Sequence, residues 1–398
     1  MINTRDELIK MYKKTATLPS GVRGTTPLQL VEEIVDKIPE GVNFWSNPDL
    51  KICDPAFGLG GFIFVIYLKL REYHSHEHIV NNMLYGVEIE GFRYELMRKR
   101  LGIRNIYRGN FLTWETNMQF DLVIGNPPYQ ELKDGHKKSK AIWPEFVHKA
   151  MPICKPDGYV SLIHPPGWRN VDGDYSDVKS LLLNKHILYL EMHNKQDGIK
   201  TFGAKTPYDW YVVKNTTVSA PITKVKQQDG IIVEIDLTTL PMIPAGHIDW
   251  LQKLIATGDE ERTEVLHSYS AYETRYEYMS RTKTKTNKYP CVYCVRAVPR
   301  DELDLYYSSK RDVHFGVPKL IWGDGGYNMG SYADINGDYG LTQFAYGIVD
   351  SPENLPYIKQ AFDTAEFRTI VRSFDGGNGS INRKIIAKFK KDWWKHFV

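Results

Sequence analysis

Short apolar runs alternate with helical stretches between residues 51 and 213, and no other feature of the chain narrows its fold as much. The runs are "LKIC", "LYGVEI", "FDLVIG", "GYVSLIH", "ILYLEM" and "DWYVVK", with helical candidates such as "GFIFVIYLKLREY" and "AIWPEFVHKAMPIC" between them. Strands separated by helix-length segments pair in parallel, so this region predicts an α/β fold with a mostly parallel sheet. At 398 residues the chain has room for two domains. A composition of 42% hydrophobic and 25% charged residues is that of a globular protein.

Ahead of the alternating block, "TTPLQLVEEIVDKI" carries a helix start. Thr26 suits an N-cap, Pro27 the first helical position, and Gln29 the third residue of a capping box. A linker-like stretch, "NTTVSAPITKVKQQDG" at residues 215–230, separates the block from a remainder rich in Tyr, Gly, Thr and Lys. The expected division is residues 1–218 and 219–398, the second part being mixed α+β. Its loopiest segment is "WGDGGYNMGSYADINGDYG", and it ends in the basic, aromatic "INRKIIAKFKKDWWKHF". No internal repeat is present.

Two turns in the first part carry chemistry. "ICDPAFGLGGF" follows the first strand with Asp54 and then Gly58, Gly60 and Gly61 before a helix. Glycines there let backbone N–H groups approach a ligand at the carboxyl edge of the sheet. The dinucleotide fingerprint G-x-G-x-x-G fails, because Ile63 stands where the last glycine belongs. Asp54 would repel a pyrophosphate and welcome a cation, such as the ammonium of a methionine moiety. The second strand ends in Glu88 and Glu90. A carboxylate at that tip can accept both hydrogen bonds of a vicinal diol, and Glu88 is the favoured one; the alternative is a pair of solvated strand ends.

The second turn is "GNPPYQ". Asn126 offers an uncharged oxygen acceptor, and Pro127, lacking N–H, keeps its carbonyl in a turn. Pro128 stiffens that turn, and Tyr129 adds a flat face. Two neutral acceptors beside an aromatic plane suit an exocyclic NH2 on a planar ring. Such an amine is a poor nucleophile, so the help it needs is positioning and electrostatic preorganisation.

With these residues the chain resembles the gamma-class N6-adenine DNA methyltransferases of restriction-modification type. The resemblance covers about the first half and rests on the order "GTTPLQLVEEIV", "DPAFGLGGF", "GVEIE", "RGNFLTW", "GNPPYQ". The segments "FVHKAMPICKPDGYVSLIHPPGW" and "TFGAKTPYDWYVV" follow in family order. It implies a Rossmann-like methyltransferase domain, S-adenosylmethionine as cofactor, and a C-terminal DNA-recognition domain. By position, Thr26 and Asp54 would hold the methionine part, with Ala56, Phe57 and Gly58 forming the adjoining loop. Glu88 would bind the ribose, and Asn110 and Phe111 the cofactor's adenine. Asn126, which also borders the cofactor, and Pro127 would grip the target amine, with Pro128 stiffening the loop. Tyr129 and Phe202 would stack on the two faces of an extruded base. The family usually has Asp where this chain has Asn110. Methylation of cytosine N4 is the close rival, a protein glutamine amide a distant one, and a DNA-binding module with a dead cofactor fold the non-enzymatic alternative.

The resemblance also implies double-stranded DNA as partner, a monomer, and possible company of a separately encoded cognate endonuclease. A net charge of +3 permits a nucleic-acid partner without indicating one. The cationic clusters that could contact phosphates are Lys283, Lys285 and Lys288, and Arg383, Lys384 and Lys388 with Lys390 and Lys391. "SFDGGNGSINRK" could enter a groove. The longest apolar run, "FIFVIYL", is too short to span a membrane, and a charged N-terminus lacks a signal-peptide pattern. Four irregularly spaced cysteines predict a reducing cytoplasm, and the resemblance implies a bacterial or phage-encoded protein. Neither "HSHEH" nor "CVYC" has a complete metal-ligand set, so no metal is expected. No nuclease or helicase segment is evident.

Overall fold

A computed structural model of the chain describes residues 6–7, 9–10, 25–39, 43–131, 140–219, 221–297, 302–324, 330–374 and 381–398. They form two compact units, Met1–Trp168 with Asp172–Thr239, and Arg169–Val171 with Leu240–Val398.

The first unit opens with helix α1 (Leu28–Val35) and strand β1 (Ile52–Asp54). Helix α2 (Gly61–Leu70), β2 (Leu84–Glu88), α3 (Gly91–Leu101), β3 (Asn105–Arg108) and β4 (Phe120–Gly125) follow. Then come α4 (Trp143–Ile153), β5 (Cys154–His164), α5 (Ser176–Leu183), β6 (His186–His193), α6 (Lys195–Phe202) and β7 (Tyr208–Lys214). Strands β8 (Ile222–Lys226) and β9 (Ile232–Asp236) complete it. The nine strands make one sheet in the order β3-β2-β1-β4-β5-β7-β6-β8-β9. Strands β3 through β5 run parallel, and β7 is antiparallel to both its neighbours. The expected α/β fold with a mostly parallel sheet is therefore present.

Amphipathicity explains the layers. Helix α1 buries Leu30, Val31, Ile34 and Val35 on one stripe. Helix α2 buries Phe62, Ile63, Phe64, Ile66, Tyr67 and Leu70, nearly its whole circumference, and lies against α1. Residues 122–125 of β4 are all buried, as a central parallel strand covered on both faces requires.

Three strands, β3, β8 and β9, escaped the apolar pattern. In β3 only Ile106 is buried, and Tyr107 and Arg108 face solvent, which is how an edge strand reads. The stretch at residues 215–230, expected as a linker, contains β8, which pairs in parallel with β6 and buries Thr223 and Val225 between exposed partners. Both β8 and β9 thus belong to the first unit, and the compact units part after Thr239 rather than near residue 220.

The second unit comprises α7 (Ile248–Leu254), β10 (Glu264–Leu266), β11 (Met279–Ser280), β12 (Tyr289–Arg296), β13 (Glu302–Ser308) and β14 (Lys319–Gly323). After these come β15 (Ser331–Asp334), β16 (Gly340–Leu341), β17 (Ala345–Val349), α8 (Leu355–Asp363) and α9 (Ala365–Ser373). Two four-stranded sheets result, β10-β17-β14-β15 and β11-β13-β12-β16. Val292 and Val295 of one sheet meet Ile321 and Ala345 of the other in a shared core. The segment expected to be loopiest holds the end of β14 and all of β15, with residues 325–329 outside the described part. Among the described residues no helix is long and apolar enough to cross a membrane.

Candidate active site

The strand order reverses between β1 and β4, which lie side by side and continue outward in opposite directions across the sheet. Loops leaving such a pair diverge to opposite faces and open a crevice at the carboxyl edge. The two turns singled out from the sequence are the ones that leave these strands: Asp54 ends β1, and Asn126 follows β4. They are tightly apposed. A Cβ on Gly125 would come within 2.6 Å of the Asp54 Oδ1 and 3.2 Å of Pro55, so only glycine lets the strands close at this point.

Asp54 is 2% exposed and accepts one hydrogen bond, at 3.0 Å, from the Ala56 N–H. Burial, reinforced by the charge of Glu88 and partly opposed by the Ala56 bond, pushes its carboxyl up to about 8. An acid in that state lacks a cation. Glu88 is also buried; one oxygen accepts from the Gly58 N–H and the other from the Glu90 N–H, each at 2.8 Å. The Gly58 loop is thus tied to the tip of β2, and each carboxylate oxygen retains a lone pair for a further donor. Gly58 and Gly60 both take positive φ, at 54° and 86°.

Thr26 does not cap α1. Pro27 occupies the N-cap position without a side-chain cap, and Gln29 donates to Glu33, so the capping box is absent. The Thr26 hydroxyl instead accepts from the Asn126 Nδ2 at 3.1 Å. The nitrogen is engaged, and Oδ1, although buried, has no hydrogen-bond partner. An orphaned buried acceptor costs about 1–3 kcal/mol, a cost that a ligand NH2 would remove. Pro127 is buried and Pro128 exposed, and among the described residues no donor reaches the Pro127 carbonyl. Tyr129 is half-buried. Its hydroxyl is buried and unpartnered, and burial raises its pKa well above the ordinary range, with Tyr208 and Asp209 adding to the effect.

Phe202, at the end of α6, packs edge-on against Tyr208 at 4.9 Å between ring centroids. Asn110 is exposed and its side-chain oxygen accepts from the Leu112 N–H, capping the short turn Phe111–Thr113. Phe111 is buried and stacks on Phe146 at 5.5 Å. Lys149 of α4 escaped the sequence reading. Its Nζ donates to the carbonyls of Leu112 and Trp114, at 3.0 and 2.5 Å, and lies 5.3 Å from the Phe111 ring centroid, clamping this turn. Nothing in the sequence of its helix, which also carries Glu145 and His148, sets this lysine apart.

The second unit sorts the expected cations. Lys283, Lys285 and Lys288 are exposed. Lys390 pairs with Glu260 at 3.0 Å and Lys391 with Glu261 at 3.1 Å, so those two charges are locally neutralised. The Arg383 guanidinium lies over the rings of Tyr269 and Tyr346, Lys384 is exposed and Lys388 half-buried. Residues 375–380 of "SFDGGNGSINRK" lie outside the described residues. Each histidine of "HSHEH" has a protein partner: His74 the Trp45 carbonyl, His76 the Tyr67 hydroxyl, His78 the Pro48 carbonyl. Cys291 and Cys294 both lie on β12.

Residues 69–197 match the profile of a family described as Eco57I restriction-modification methylase. The chain is 26% identical over 169 residues to the modification methylase CviBIII of Paramecium bursaria Chlorella virus NC1A, a match covering 40% of this chain and 42% of that protein. It is 25% identical over 233 residues to a protein of Mycoplasma pneumoniae called an uncharacterized adenine-specific methylase, covering 36% of this chain and 54% of the other. The chain thus spans about half or less of these relatives. Among solved structures, the type IIG restriction endonuclease BpuSI is similar in fold over 98% of this chain and 63% of that one, with a TM-score of 0.50 and 10% identity.

Proposed function

We propose that the chain methylates the N6 amine of adenine in double-stranded DNA, using S-adenosylmethionine. The observation that carries this reading is the buried, unpartnered Asn126 oxygen at the strand-order reversal, one residue beyond the glycine that touches Asp54. The donor set suits that cofactor. Asp54 is short of a positive charge, which an ammonium group supplies, and Glu88 has lone pairs for a diol. When bound, the cofactor supplies an electrophilic methyl group, and no metal is needed.

The chain's own residues then do the rest. Thr26 holds the Asn126 nitrogen, so its oxygen is fixed as an acceptor before the amine arrives. Asn126 Oδ1 and the Pro127 carbonyl take the two N–H bonds of the amine, favouring its pyramidal form and orienting its lone pair. Tyr129, half-buried in the turn, offers a ring face to the base, with Phe202 on the other side. A base in a duplex cannot reach such a crevice and must swing out, at a cost of a few kcal/mol. Stacking returns about 1–3 kcal/mol per ring. Adenine is preferred over cytosine because the Mycoplasma relative is called adenine-specific. The second unit would select the sequence, the protein would act as a monomer, and cleavage of unmodified DNA would fall to a separate endonuclease.

The test is transfer of a radiolabelled methyl group from S-adenosylmethionine to duplex DNA, followed by nucleoside analysis. N6-methyladenine in the product is the expected result. N4-methylcytosine would replace the substrate assignment, and DNA binding without incorporation would overturn the enzymatic reading.

A further inference from the structure

The second unit contains two groups of cations that look alike in sequence and differ in their surroundings. Around Tyr278, at one end of the β11-β13-β12-β16 sheet, the loop at residues 281–288 and the turn after β13 converge. Asn287 ties them together, its Nδ2 donating to the carbonyls of Tyr278 at 2.8 Å and Tyr307 at 3.3 Å. The Lys288 N–H donates to the Ser308 carbonyl and the Ser309 N–H to the Tyr278 carbonyl. This frame presents Lys283, Lys285, Lys288, Lys310 and Arg311, all exposed, and among the described residues none of the five is ion-paired.

Aromatic rings lie beneath them. The Lys310 Nζ is 4.2 Å from the Tyr278 ring centroid, Lys288 5.2 Å from Tyr289, and the Arg311 guanidinium 5.4 Å from Phe315. Tyr276 packs on Tyr278 and Tyr289 on Phe315, so the rings form two adjoining pairs. Such contacts hold a long side chain's stem against the protein while its charge stays in water. The exposed acids nearby are Glu277 and Asp312, and Glu273 is taken by Arg275. Five cations against two acids leave a positive surface. Arg281 does not join it, being bound to Asp304 at 2.6 Å. The C-terminal lysines 390 and 391 are the contrasting case, each closed by its own glutamate.

We propose that this edge, and not the paired Lys390 and Lys391, carries the sequence-independent contacts to the phosphate backbone of duplex DNA. A polyanion with charges a few ångströms apart is the partner that rewards several free ammonium groups held on a rigid frame. The proposal rests on the reading above only in taking DNA as the partner.

The test uses the full chain, a fluorescent duplex and a salt series, with binding followed by anisotropy. Replacing Lys283, Lys285 and Lys288 together by Gln should make the slope of log affinity against log salt shallower by about 2 to 3 and weaken binding at least about tenfold near 0.15 M salt. Lys390→Gln with Lys391→Gln should leave the slope unchanged, and circular dichroism should show both variants folded. An unchanged slope in the triple variant, or an equal loss in the control, would overturn the proposal. Methyl transfer measured on the same samples separates the two claims. Salt-dependent binding without transfer sinks the enzymatic reading and leaves this surface standing. Transfer with an unaltered slope does the reverse.

Discussion

Each unit buries a charged residue almost completely, and the two are served very differently. In the second unit Lys319 is 0% exposed and its Nζ donates to Asp334 at 2.6 Å and to the carbonyls of His314 and Val317 at 2.9 and 3.1 Å. Asp334 is in turn held by the Asp338 and Tyr339 N–H groups. Burial draws the lysine pKa down, while Asp334 holds it up. In the first unit Asp54 has a single backbone donor and no cation, and the nearby Asn126 oxygen has nothing. The lesson is that burial alone does not distinguish a strut from a site. Here partnering separates the two, because an acceptor left unpaired beside a crevice is one whose bond a ligand can make.

The largest effect expected from this contrast is on stability. Lys319→Met strands the Asp334 charge and should destabilise the protein by about 3–5 kcal/mol, while methyl transfer by the folded fraction is unaltered. Chemical denaturation monitored by tryptophan fluorescence measures the first and single-turnover kinetics the second. If the variant is as stable as the parent, the network is not a strut.

Asn126→Ala should reverse the pattern. Its transfer rate should fall about a hundredfold to a thousandfold, with stability changed by only about 1 kcal/mol, since the oxygen has no partner in the folded chain and the nitrogen loses a single bond, to Thr26. A near-normal rate in that variant would remove the role given to the loop.

A smaller effect concerns pH. In the free protein Asp54 is protonated below about pH 8, and an ammonium ligand needs it ionised. Cofactor affinity, followed by calorimetry, should therefore drop by up to about tenfold per unit below pH 8, with proton release on binding. Asp54→Asn should bind weakly and without that pH dependence. Because the folded-state pKa is raised, the stability linked to this group is present below about pH 4 and lost as pH rises toward 8. The unliganded Asn variant should accordingly gain stability relative to the parent across that window. A flat affinity profile in the parent would place the ammonium elsewhere.

Much of the site was legible because the signals were local. A glycine-rich turn after one strand and two prolines after another are instructions to a few successive residues, and both turns emerged at the strand ends expected of them. Interior strands such as β4 read well for the same reason, each having a continuous apolar run. Strands with a solvated face did not. Strand β8, paired on both sides but with Lys224 and Lys226 in its "ITKVK", looked like a linker because only its alternate residues are covered. The ion pairs of Lys390 and Lys391 could not be read from the sequence, because Glu260 and Glu261 lie far away in the chain.

By itself the sequence determined the alternating architecture, the glycine that lets two strands close, and the residue types able to hold an amine. Tertiary structure alone decided that Thr26 gives its hydroxyl to Asn126, a hundred residues away, and not to its own helix. It likewise decided which buried groups would find partners and which cations would remain free. The physical reason is that propensity and turn chemistry act over a few bonds, whereas hydrogen-bond completion and charge pairing depend on distances that no spacing along the chain encodes.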